Sequence, residues 1–321
     1  MRVAITGASG FIGRHLVQRL LAGPDHSVMA DGSALEVRVL ASSEVGFARC
    51  EALWPQVQRH LLFDPEGAVL MDALDGMDVL VHMGWSSVPA VAEKDPQLDQ
   101  MQNVAAGLRL LDAATHAGVR RVIFLSSGGT VYGPRSPMPI KEDVVAHPNT
   151  AYGISKLMFE QYLRLHAQRN NLESIVLRPG NVYGDPMPRI RPQGVIEHWL
   201  ACIAADRPIE IWSDLEVTRD FVHVDDMVRA ILLSLTTASN DLVLNVGTGV
   251  GTSLGQLLEI LRGVTGKDVI VDVRGATSAI IPHNVLCPEQ AAALTGFRAE
   301  VELGQGVAKL WQQIAAGREL K

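Results

Sequence analysis

The stretch RVAITGASGFIGRHLVQRLLAG, residues 2–23, decides the fold of this chain. An apolar run leads into three glycines spaced GxxGxxG, and apolar residues then recur at helical spacing up to Gly23, a typical helix end. Strand, glycine turn and helix in this order are the context of a dinucleotide-binding fingerprint. In such a fingerprint Gly7 permits the tight turn, Gly10 the close approach of a pyrophosphate, and Gly13 the packing of helix on strand. The free N–H groups of the first helical turn favour a diphosphate here, and a purely structural turn is the alternative.

Apolar runs recur along the first half of the chain. They lie at residues 36–42, 78–85, 120–127 and 174–184, and helical patterns separate them. Strands that alternate with helices in this way predict an α/β fold with a Rossmann-type, doubly wound parallel sheet. The ligand crevice of such a sheet lies at the carboxyl ends of its strands. Several candidate residues follow strands directly and are expected to converge on this edge: Gly7, Asp64, Gly84 and Ser127.

The alternation loosens after about residue 180, which predicts a second, smaller unit. We assign residues 1–180 to a Rossmann domain that binds NAD or NADP. Residues 222–248 are expected to return to it, because they include LVLNVG, a typical last sheet strand. Residues 181–221 and 249–321 are then expected to form a smaller C-terminal α/β lobe that binds the substrate.

The end of the second predicted strand bears on the identity of the dinucleotide. An acid at this point would bind the ribose of NAD, and a base nearby would accommodate the extra phosphate of NADP. The sequence reads Ala41-Ser42-Ser43, with neither, so Ser42 is a candidate contact and the choice between NAD and NADP stays open. Asp64, after the next short strand, is placed to accept from the adenine amino group or, alternatively, to cap a turn.

The motif YGISK carries the candidate chemistry. Tyr152 and Lys156 are four residues apart on a predicted helix and therefore share one face. An ammonium beside a phenol favours the phenolate, so we expect Lys156 to lower the pKa of Tyr152 from about 10 toward neutrality. Such a phenol can take a proton from a hydroxyl while the carbon loses hydride to a nicotinamide. Ser127 or Thr130, in the preceding SSGGTVYG, could hold the same oxygen; a solvated amphipathic helix is the alternative.

Composition excludes several other classes of protein. The formal net charge of −7 argues against a nucleic-acid-binding surface. The three cysteines (Cys50, Cys202 and Cys287) lie in no metal or redox spacing, which predicts free thiols in a reducing compartment and no metal site. The chain enters a strand at once and has no apolar run as long as a membrane span, so we expect a soluble, cytoplasmic protein.

Six motifs, in order, resemble those of the extended short-chain dehydrogenase/reductases: GASGFIG, SSGGTVYG, YGISK, LRPGNVYG, RDFVHVDD and NVGTG. Within these the chain is most similar to the NAD-dependent epimerase/dehydratase family, typified by UDP-glucose 4-epimerase. The resemblance covers nearly the whole chain and weakens after about residue 265. It implies that Tyr152 is the base and that Lys156 binds the nicotinamide ribose.

The resemblance also implies binding residues for two ligands. The residues expected around the pyrophosphate are Gly7, Ser9, Gly10, Phe11, Ile12 and Gly13. Those expected along the rest of the cofactor cleft are Ser42, Asp64, Met83, Gly84 and Asn103. The candidate contacts to a nucleotide sugar are Ser87, Asn181, Arg219 and Arg274. A guanidinium suits phosphate because it stays charged and binds oxyanions through two N–H groups, but a surface ion pair is the alternative for both arginines.

One departure from the family pattern concerns the helper hydroxyl. Its usual position, three residues before the Val of VYG, is Gly128 here, so Ser127 or Thr130 must supply the hydrogen bond. We favour Ser127 because it terminates the strand directly; both hydroxyls could instead satisfy loop backbone groups. The acidic pair that the dehydratases carry just before VYG is replaced by Gly129-Thr130. A 4,6-dehydratase is therefore disfavoured, since no carboxyl group is present to protonate the leaving hydroxyl.

These observations predict a nucleotide-sugar epimerase that acts at C4 of a UDP-hexose or a relative, with a retained NAD or NADP. One alternative is an enzyme with a different reaction, an NAD(P)-linked sugar or carbonyl reductase. The other is a protein without catalytic activity, a sensor that binds the dinucleotide. The resemblance further implies a homodimer that pairs the helices around residues 103–117 and 152–168.

Overall fold

A parallel sheet forms the centre of the part of the chain that the computed structural model describes, namely residues 1–22, 35–61, 68–134, 137–185, 194–238, 241–275 and 281–316. The described residues form this sheet and two smaller ones. In chain order the strands of all three sheets are β1 Arg2–Thr6, β2 Glu36–Ala41, β3 Gln58–Leu61, β4 Val79–His82, β5 Arg121–Leu125, β6 Glu173–Pro179, β7 Asn181–Tyr183, β8 Ile209–Ile211, β9 Thr218–His223, β10 Leu242–Val246, β11 Gly251–Ser253, β12 Val271–Val273 and β13 His283–Asn284.

Helices connect these strands and cover both faces of the sheet. They are α1 Phe11–Leu21, α2 Glu44–Leu53, α3 Ala68–Leu74, α4 Pro89–Ala92, α5 Pro96–Asp99, α6 Ala106–His116, α7 Ala151–Asn170, α8 Val195–Ala204, α9 Val224–Thr236, α10 Leu254–Thr265, α11 Glu289–Thr295 and α12 Leu303–Ala315. A π-helical turn, Gln100–Ala105, joins α5 to α6. None of the described helices combines the length and the hydropathy that crossing a bilayer requires.

The strand order of the main sheet is β10-β6-β5-β4-β1-β2-β3, and each neighbouring pair is parallel. The chain proceeds outward from β1 through β2 and β3, then crosses to the other side of β1 with β4. The order therefore reverses between β1 and β4, which is the point where open α/β sheets bind ligands. The predicted Rossmann-type, doubly wound fold is confirmed.

Alternate residues of the strands pack into two apolar layers. On one face, Val3 and Ile5 of β1 join side chains of α1 and α9, including Leu16 and Met227. On the other face, strand residues such as Phe124 pack with helices α3, α6 and α7. Burial on both faces explains why the strands read as continuous apolar runs and not as alternating ones.

A separate core lies beyond β6. Helices α8, α10 and α12 contribute Trp199, Leu258 and Leu310 to it, together with Ile209 and Ile211 of β8. β8 pairs with β12, and β9 is flanked by β7, β11 and β13 in another small sheet. β10, from the segment predicted to return to the Rossmann domain, pairs with β6 at the edge of the main sheet. The domain boundaries themselves stay a prediction.

The helical segment from Pro96 to His116 is not regular. It begins at Pro96, where the carboxylate of Asp95 accepts a hydrogen bond of 2.9 Å from Leu98 N. It then widens into the π-helical turn before continuing as α6. Such π-helical turns are frequent at functional sites, and this one contains the buried side chain of Asn103.

Candidate active site

The glycine turn after β1 brings two strand ends into contact. Gly7 has a φ of +72°, and a Cβ there would lie 2.7 Å from backbone atoms of Met83 and Gly84. Thr6 fixes the same junction, since its Oγ1 accepts from Gly84 N at 3.0 Å and contacts His82 Nδ1 at 2.7 Å. Only glycine suits this position, because an L side chain would be both strained and in collision.

Helix α1 begins directly after the turn. Its N-cap is Gly10, which has no side chain to occupy the N–H groups of the first turn. A Cβ on Gly13 would collide with the carbonyl oxygen of Gly7, so this glycine permits the close packing of helix on strand. The open helix N-terminus and its dipole therefore present an anion-binding surface to the space beside β1.

A cavity of about 600 Å³ opens beside this helix N-terminus, at the carboxyl ends of the strands. The predicted site residues that line it are Gly7, Gly10, Phe11, Ile12, Gly13, Met83, Ser87, Ser127, Thr130, Tyr152, Lys156, Asn181 and Arg219. These residues come from six separate segments of the chain, so the fold brings the glycine turn and the YGISK motif to one cavity.

Tyr152 lies on the first turn of α7, next to Thr150, whose hydroxyl caps the helix by accepting from Gly153 N at 3.1 Å. Burial raises the pKa of the Tyr152 phenol above its usual value, and the Asp99 charge raises it further. The expected lowering of this pKa by Lys156 is therefore not what the structure shows. Lys156 is directed elsewhere, and its Nζ lies 5.6 Å from the centre of the Tyr152 ring.

The Lys156 ammonium is buried against aromatic rings. Its Nζ donates a hydrogen bond of 2.7 Å to the Leu125 carbonyl and lies 3.9 Å from the Trp85 ring centre and 4.8 Å from that of Phe124. Burial lowers the pKa of Lys156 to about 7, against opposing contributions from Glu160 and Asp99. The lysine can therefore change its charge near neutral pH.

Both candidate helper residues, Ser127 and Thr130, line the cavity. β5 ends at Leu125, so Ser127 lies two residues beyond the strand and does not terminate it directly as expected; its carbonyl accepts from Thr130 N and Val131 N in the loop. Thr130 Oγ1 is buried and has no hydrogen-bond partner among the described residues. A buried hydroxyl without a partner is costly unless a ligand satisfies it. Both residues stay candidates for the hydrogen bond to a substrate oxygen, and our preference for Ser127 stays a prediction.

Arg219 of β9 and Asn181 of β7 also line the cavity. Arg219 donates to the Thr218 carbonyl at 2.8 Å, and within the described residues it makes no ion pair. Its neighbour Asp220 is occupied elsewhere, because it accepts from Thr248 N and Oγ1, Gly249 N and Leu286 N. The alternative of an Arg219–Asp220 pair is therefore not seen, and Arg219 lines the cavity without an ion pair to any described acid.

Other predicted residues lie outside the cavity wall. Asn103 is buried behind it, with its amide engaged by Ser86 N at 2.7 Å and by Asp99 Oδ1 at 2.8 Å, so it holds the loop after β4 and does not line the cleft. Arg274 is about half exposed and pairs with Asp272 at 2.7 Å and with Glu210 at 3.3 Å. Arg274 therefore forms surface ion pairs, which was the alternative to the predicted contact with the substrate.

The remaining cofactor candidates sit at the rim or beyond it. Gly84 contributes backbone to the junction with Gly7, and Ser9 lies on the glycine turn near Gly46 of α2. Ser42 follows β2 and is exposed. Asp64, expected near adenine, lies outside the described residues.

Two cavity residues were not expected from the sequence. Trp85 follows β4, and its ring packs on Phe124, Phe159 and the edge of Tyr152. Glu197 of α8 lines the far wall, where one oxygen accepts from Gly184 N at 2.8 Å and the other is buried without a partner among the described residues. No motif marks either position, since each role depends on packing between distant segments.

Comparisons with known proteins agree with this geometry. The UDP-glucose 4-epimerase of Mycolicibacterium smegmatis is 32% identical over 316 residues, covering 96% of this chain and 97% of the relative. The dTDP-4-dehydro-6-deoxyglucose reductase of Escherichia coli is 30% identical over 322 residues, covering 97% of each. The structure of the Thermus thermophilus UDP-glucose 4-epimerase in complex with NAD superposes with a TM-score of 0.84 at 30% identity, covering 99% of this chain and all of that one.

The resemblance inferred from the six motifs is thereby confirmed. The relatives named above are enzymes of nucleotide sugars by name, and each aligns with this chain over nearly its full length. The family model for NAD dependent epimerases and dehydratases matches residues 3–247, which run from β1 to the end of β10 and include every strand of the main sheet. The chain therefore belongs to the NAD-dependent epimerase/dehydratase family.

Proposed function

We propose that this protein is a nucleotide-sugar 4-epimerase that works with a tightly held NAD. The observation that carries the proposal is the placement of Tyr152 and Lys156 in the same cavity as the glycine turn of α1. A base and a dinucleotide-binding turn on one cavity are what reversible oxidation of a hydroxyl requires.

The residues present fit a dinucleotide. The N-terminus of α1 opens onto the cavity with an uncapped Gly10, and glycines at positions 7 and 13 bring the backbone close enough to form a cradle for a diphosphate. Lys156 lies deeper in the same cavity, where it would hold the nicotinamide ribose. When bound, NAD accepts a hydride from the sugar carbon and returns it. NADP stays a possible cofactor because the end of β2 carries neither an acid nor a base.

Arg219 and Asn181 would hold the diphosphate of the substrate. Arg219 lines the cavity, and its guanidinium forms no ion pair with an acid among the described residues. Its charge can therefore bind an oxyanion. Binding energy placed on the diphosphate leaves the sugar ring free to turn within the cavity. UDP-glucose is the substrate named for two of the relatives, and a UDP-hexose is the class we assign here.

Tyr152 would transfer the proton. As a phenolate, it would take the proton of the C4 hydroxyl as that carbon is oxidised, and would give it back after the keto sugar presents its other face. Because burial raises the pKa of the Tyr152 phenol, this step requires that the phenol first lose its own proton and that nearby positive charge stabilise the phenolate. Ser127 or Thr130 would donate to the same substrate oxygen and orient it toward Tyr152.

We further propose that the protein is a homodimer. Apolar side chains are exposed along α5, the π-helical turn and α7, and these are Leu98, Met101, Ile154, Tyr162 and Leu165. An apolar stripe on adjacent helices is typical of a surface that pairs with a second copy. The three cysteines are free and buried, which suits the reducing cytoplasm.

A net reductase is the second candidate. The Escherichia coli relative named above is a reductase, and the end of β2 does not specify NAD over NADP. The two activities differ in the fate of the cofactor, because an epimerase regenerates its dinucleotide in each cycle and a reductase exchanges it.

One experiment separates these candidates. Purified protein is incubated with UDP-glucose and substoichiometric NAD, and UDP-galactose is followed by proton NMR, while mass spectrometry identifies any dinucleotide that copurifies. Many turnovers per NAD support the epimerase. Oxidised sugar that forms only in equal amount with NADH, or with NADPH when NADP is supplied, supports the net dehydrogenase or reductase, and no turnover with any UDP-hexose or dTDP-hexose, despite bound dinucleotide, overturns both.

A further inference from the structure

Gly128 occupies the position at which the family pattern carries the helper hydroxyl, and the packing around it gives a reason for the glycine. A Cβ there would lie 2.6 Å from Leu286 Cδ1, and 3.0 Å from both Leu286 Cδ2 and the carbonyl oxygen of Arg178. An approach of 2.6 Å requires something to shift, and the Leu286 side chain is fully buried. Leu286 therefore fills the space that any side chain at position 128 would need.

Gly129, the next residue, differs in this respect. A Cβ at Gly129 would meet Asn181 Oδ1 at 3.8 Å and Ser127 Oγ at 3.9 Å, which are ordinary van der Waals distances. Neither Gly128 nor Gly129 adopts a positive φ, so the backbone conformation is open to other residues at both positions. The requirement for glycine at position 128 is thus one of space, and Leu286 imposes it.

The backbone of Gly128 is held by a hydrogen bond on each side. Its N–H donates to the Pro179 carbonyl at 2.9 Å, and its carbonyl accepts from Asn284 Nδ2 at 3.1 Å. Asn284 is only 1% exposed, so loss of this bond would leave a buried polar group without a partner. Ser127 precedes Gly128 and Thr130 follows two residues later, and both line the cavity. The placement of Gly128 therefore determines where the two candidate helper residues lie.

Asn284 and Leu286 belong to residues 283–287, which we call the supporting segment. β13 lies in this segment and pairs with β9, so that Asn284 is the register partner of Arg219. Leu286 N donates to Asp220 Oδ2 at 3.3 Å. The supporting segment thus connects the strand that carries Arg219 to the loop that carries the candidate helper hydroxyls.

We propose that Leu286 and Asn284 are positioning residues for the reaction: they pack behind Gly128, hold its carbonyl, and thereby keep Ser127 and Thr130 in the cavity wall. The catalytic consequence rests on the proposed function, but the steric coupling between position 128 and Leu286 does not. The same packing explains why the helper hydroxyl is missing from its usual position. A serine at position 128 would displace Leu286, so a neighbouring residue must supply the hydrogen bond to the substrate.

The steric coupling is tested by thermal unfolding, which needs neither ligand nor turnover. We expect Gly128→Ala to lower the Tm by several degrees, because its Cβ collides with Leu286. Leu286→Val removes both Cδ atoms and keeps most of the apolar volume. In the Leu286→Val background the further loss caused by Gly128→Ala should be about half as large or less, and the remainder reflects the Arg178 carbonyl.

Two matched controls accompany this cycle. Gly129→Ala adds the same methyl group one residue further on and should change the Tm little. Leu257→Val shortens a leucine that is as fully buried as Leu286, but in the separate core beyond β6, and it should not reduce the cost of Gly128→Ala. An equal cost of Gly128→Ala in the wild-type and Leu286→Val backgrounds overturns the coupling, and so does a reduction of the same size in Leu257→Val.

The positioning role is tested by steady-state kinetics with UDP-glucose. We expect Leu286→Val to lower kcat by about tenfold and to change KM and the affinity for NAD by less than about twofold. Asn284→Ala is the second variant, since it removes the hydrogen bond to the Gly128 carbonyl and leaves Leu286 in place. In a Ser127→Ala/Thr130→Val background neither change should lower kcat further, because no helper hydroxyl is left to position.

A structural defect alone would lower kcat to the same extent in both backgrounds, and that result overturns the positioning role. An unchanged kcat in both Leu286→Val and Asn284→Ala overturns it as well. If the wild type turns over no UDP-hexose, the proposed function and the positioning role fail together, and the unfolding cycle then decides the steric coupling separately.

Discussion

The ammonium of Lys156 lies 3.9 Å from the centre of the Trp85 ring and is held there by one hydrogen bond, to the Leu125 carbonyl. An aromatic face attracts a cation without neutralising it. Lys156 therefore stays in a low-dielectric wall of the cavity with its charge available to a ligand. The same ring packs edge-on against Tyr152, so Trp85 contacts both members of the proposed catalytic pair.

Replacement of Trp85 should reveal this contact. Trp85→Phe keeps an aromatic face, so we expect it to retain most of the activity. Trp85→Ala removes an attraction of about 1–2 kcal/mol and should reduce kcat/KM by at least about tenfold. Steady-state kinetics on both variants, with thermal unfolding as the check on folding, measures the difference. Equal activity of the two variants would exclude a role for the ring.

Tyr152→Phe should abolish turnover and leave dinucleotide binding nearly intact. The change removes only the hydroxyl that transfers the proton, and general acid–base catalysis contributes about 10²–10⁴-fold to rate. The measurements are kcat with UDP-glucose and the affinity for NAD by calorimetry. A loss of NAD affinity as large as the loss of rate would instead assign Tyr152 a structural role.

The two hydroxyls of the SSGGTVYG loop can be ranked. We expect Ser127→Ala to cost more rate than Thr130→Val, by about tenfold or more, because Ser127 lies in the cavity wall two residues after β5. Thr130 competes for the role, since its Oγ1 is buried without a partner among the described residues. The kcat values of the two variants, compared at equal folded fraction, decide the order. The reverse order would assign the substrate hydrogen bond to Thr130.

The two candidate arginines should differ in their effect on substrate binding. Arg219→Lys removes the bidentate fork and should raise KM for UDP-glucose by about tenfold, with a smaller change in kcat. Arg274→Lys should change KM little, because Arg274 pairs with Asp272 and Glu210 and is half exposed. A rise in KM of similar size for Arg274→Lys would restore it as a substrate contact.

Lys156→Met should stabilise the protein in the absence of ligands. The folded state lowers the pKa of Lys156 from 10.5 to about 7, so between these pH values the unfolded chain binds more protons and wild-type stability rises with pH. The cost of the buried charge is fully present below about pH 7 and absent above about pH 10.5. We therefore expect Lys156→Met to unfold at a higher temperature than wild type at pH 6, by an amount that shrinks toward pH 10. Urea denaturation at these pH values gives the free energies, and a constant difference would contradict this account.

The sequence sufficed for the sheet and for the cavity edge, because both follow from local patterns. A strand followed by Gly7 and Gly13 predicts the tight turn and the close packing of helix on strand from the order of the residues alone. Tyr152 and Lys156 share a face because residues four apart in a helix lie one turn apart. The confirmed family resemblance likewise rests on short motifs.

Long-range packing determined the features that the sequence did not predict. The pKa of Tyr152 was expected to fall because only Lys156 was visible nearby, but burial and Asp99 raise it. Asp99 lies 53 positions before Tyr152, and no spacing rule connects them. Asn103 was placed in the cleft, and the π-helical turn instead directs its amide to Ser86 and Asp99.

The pairing of β10 with β6 has a consequence for synthesis and for truncation. β10 is synthesised only after residues 181–221, the first segment of the second lobe, yet it pairs with β6 along the outer side of that strand in the main sheet. A fragment that ends after β6 would leave a row of backbone groups open to other chains, which is a known route to aggregation. We therefore do not expect a fragment of residues 1–180 to fold stably without β10. A shortened version intended for expression should extend through residue 246.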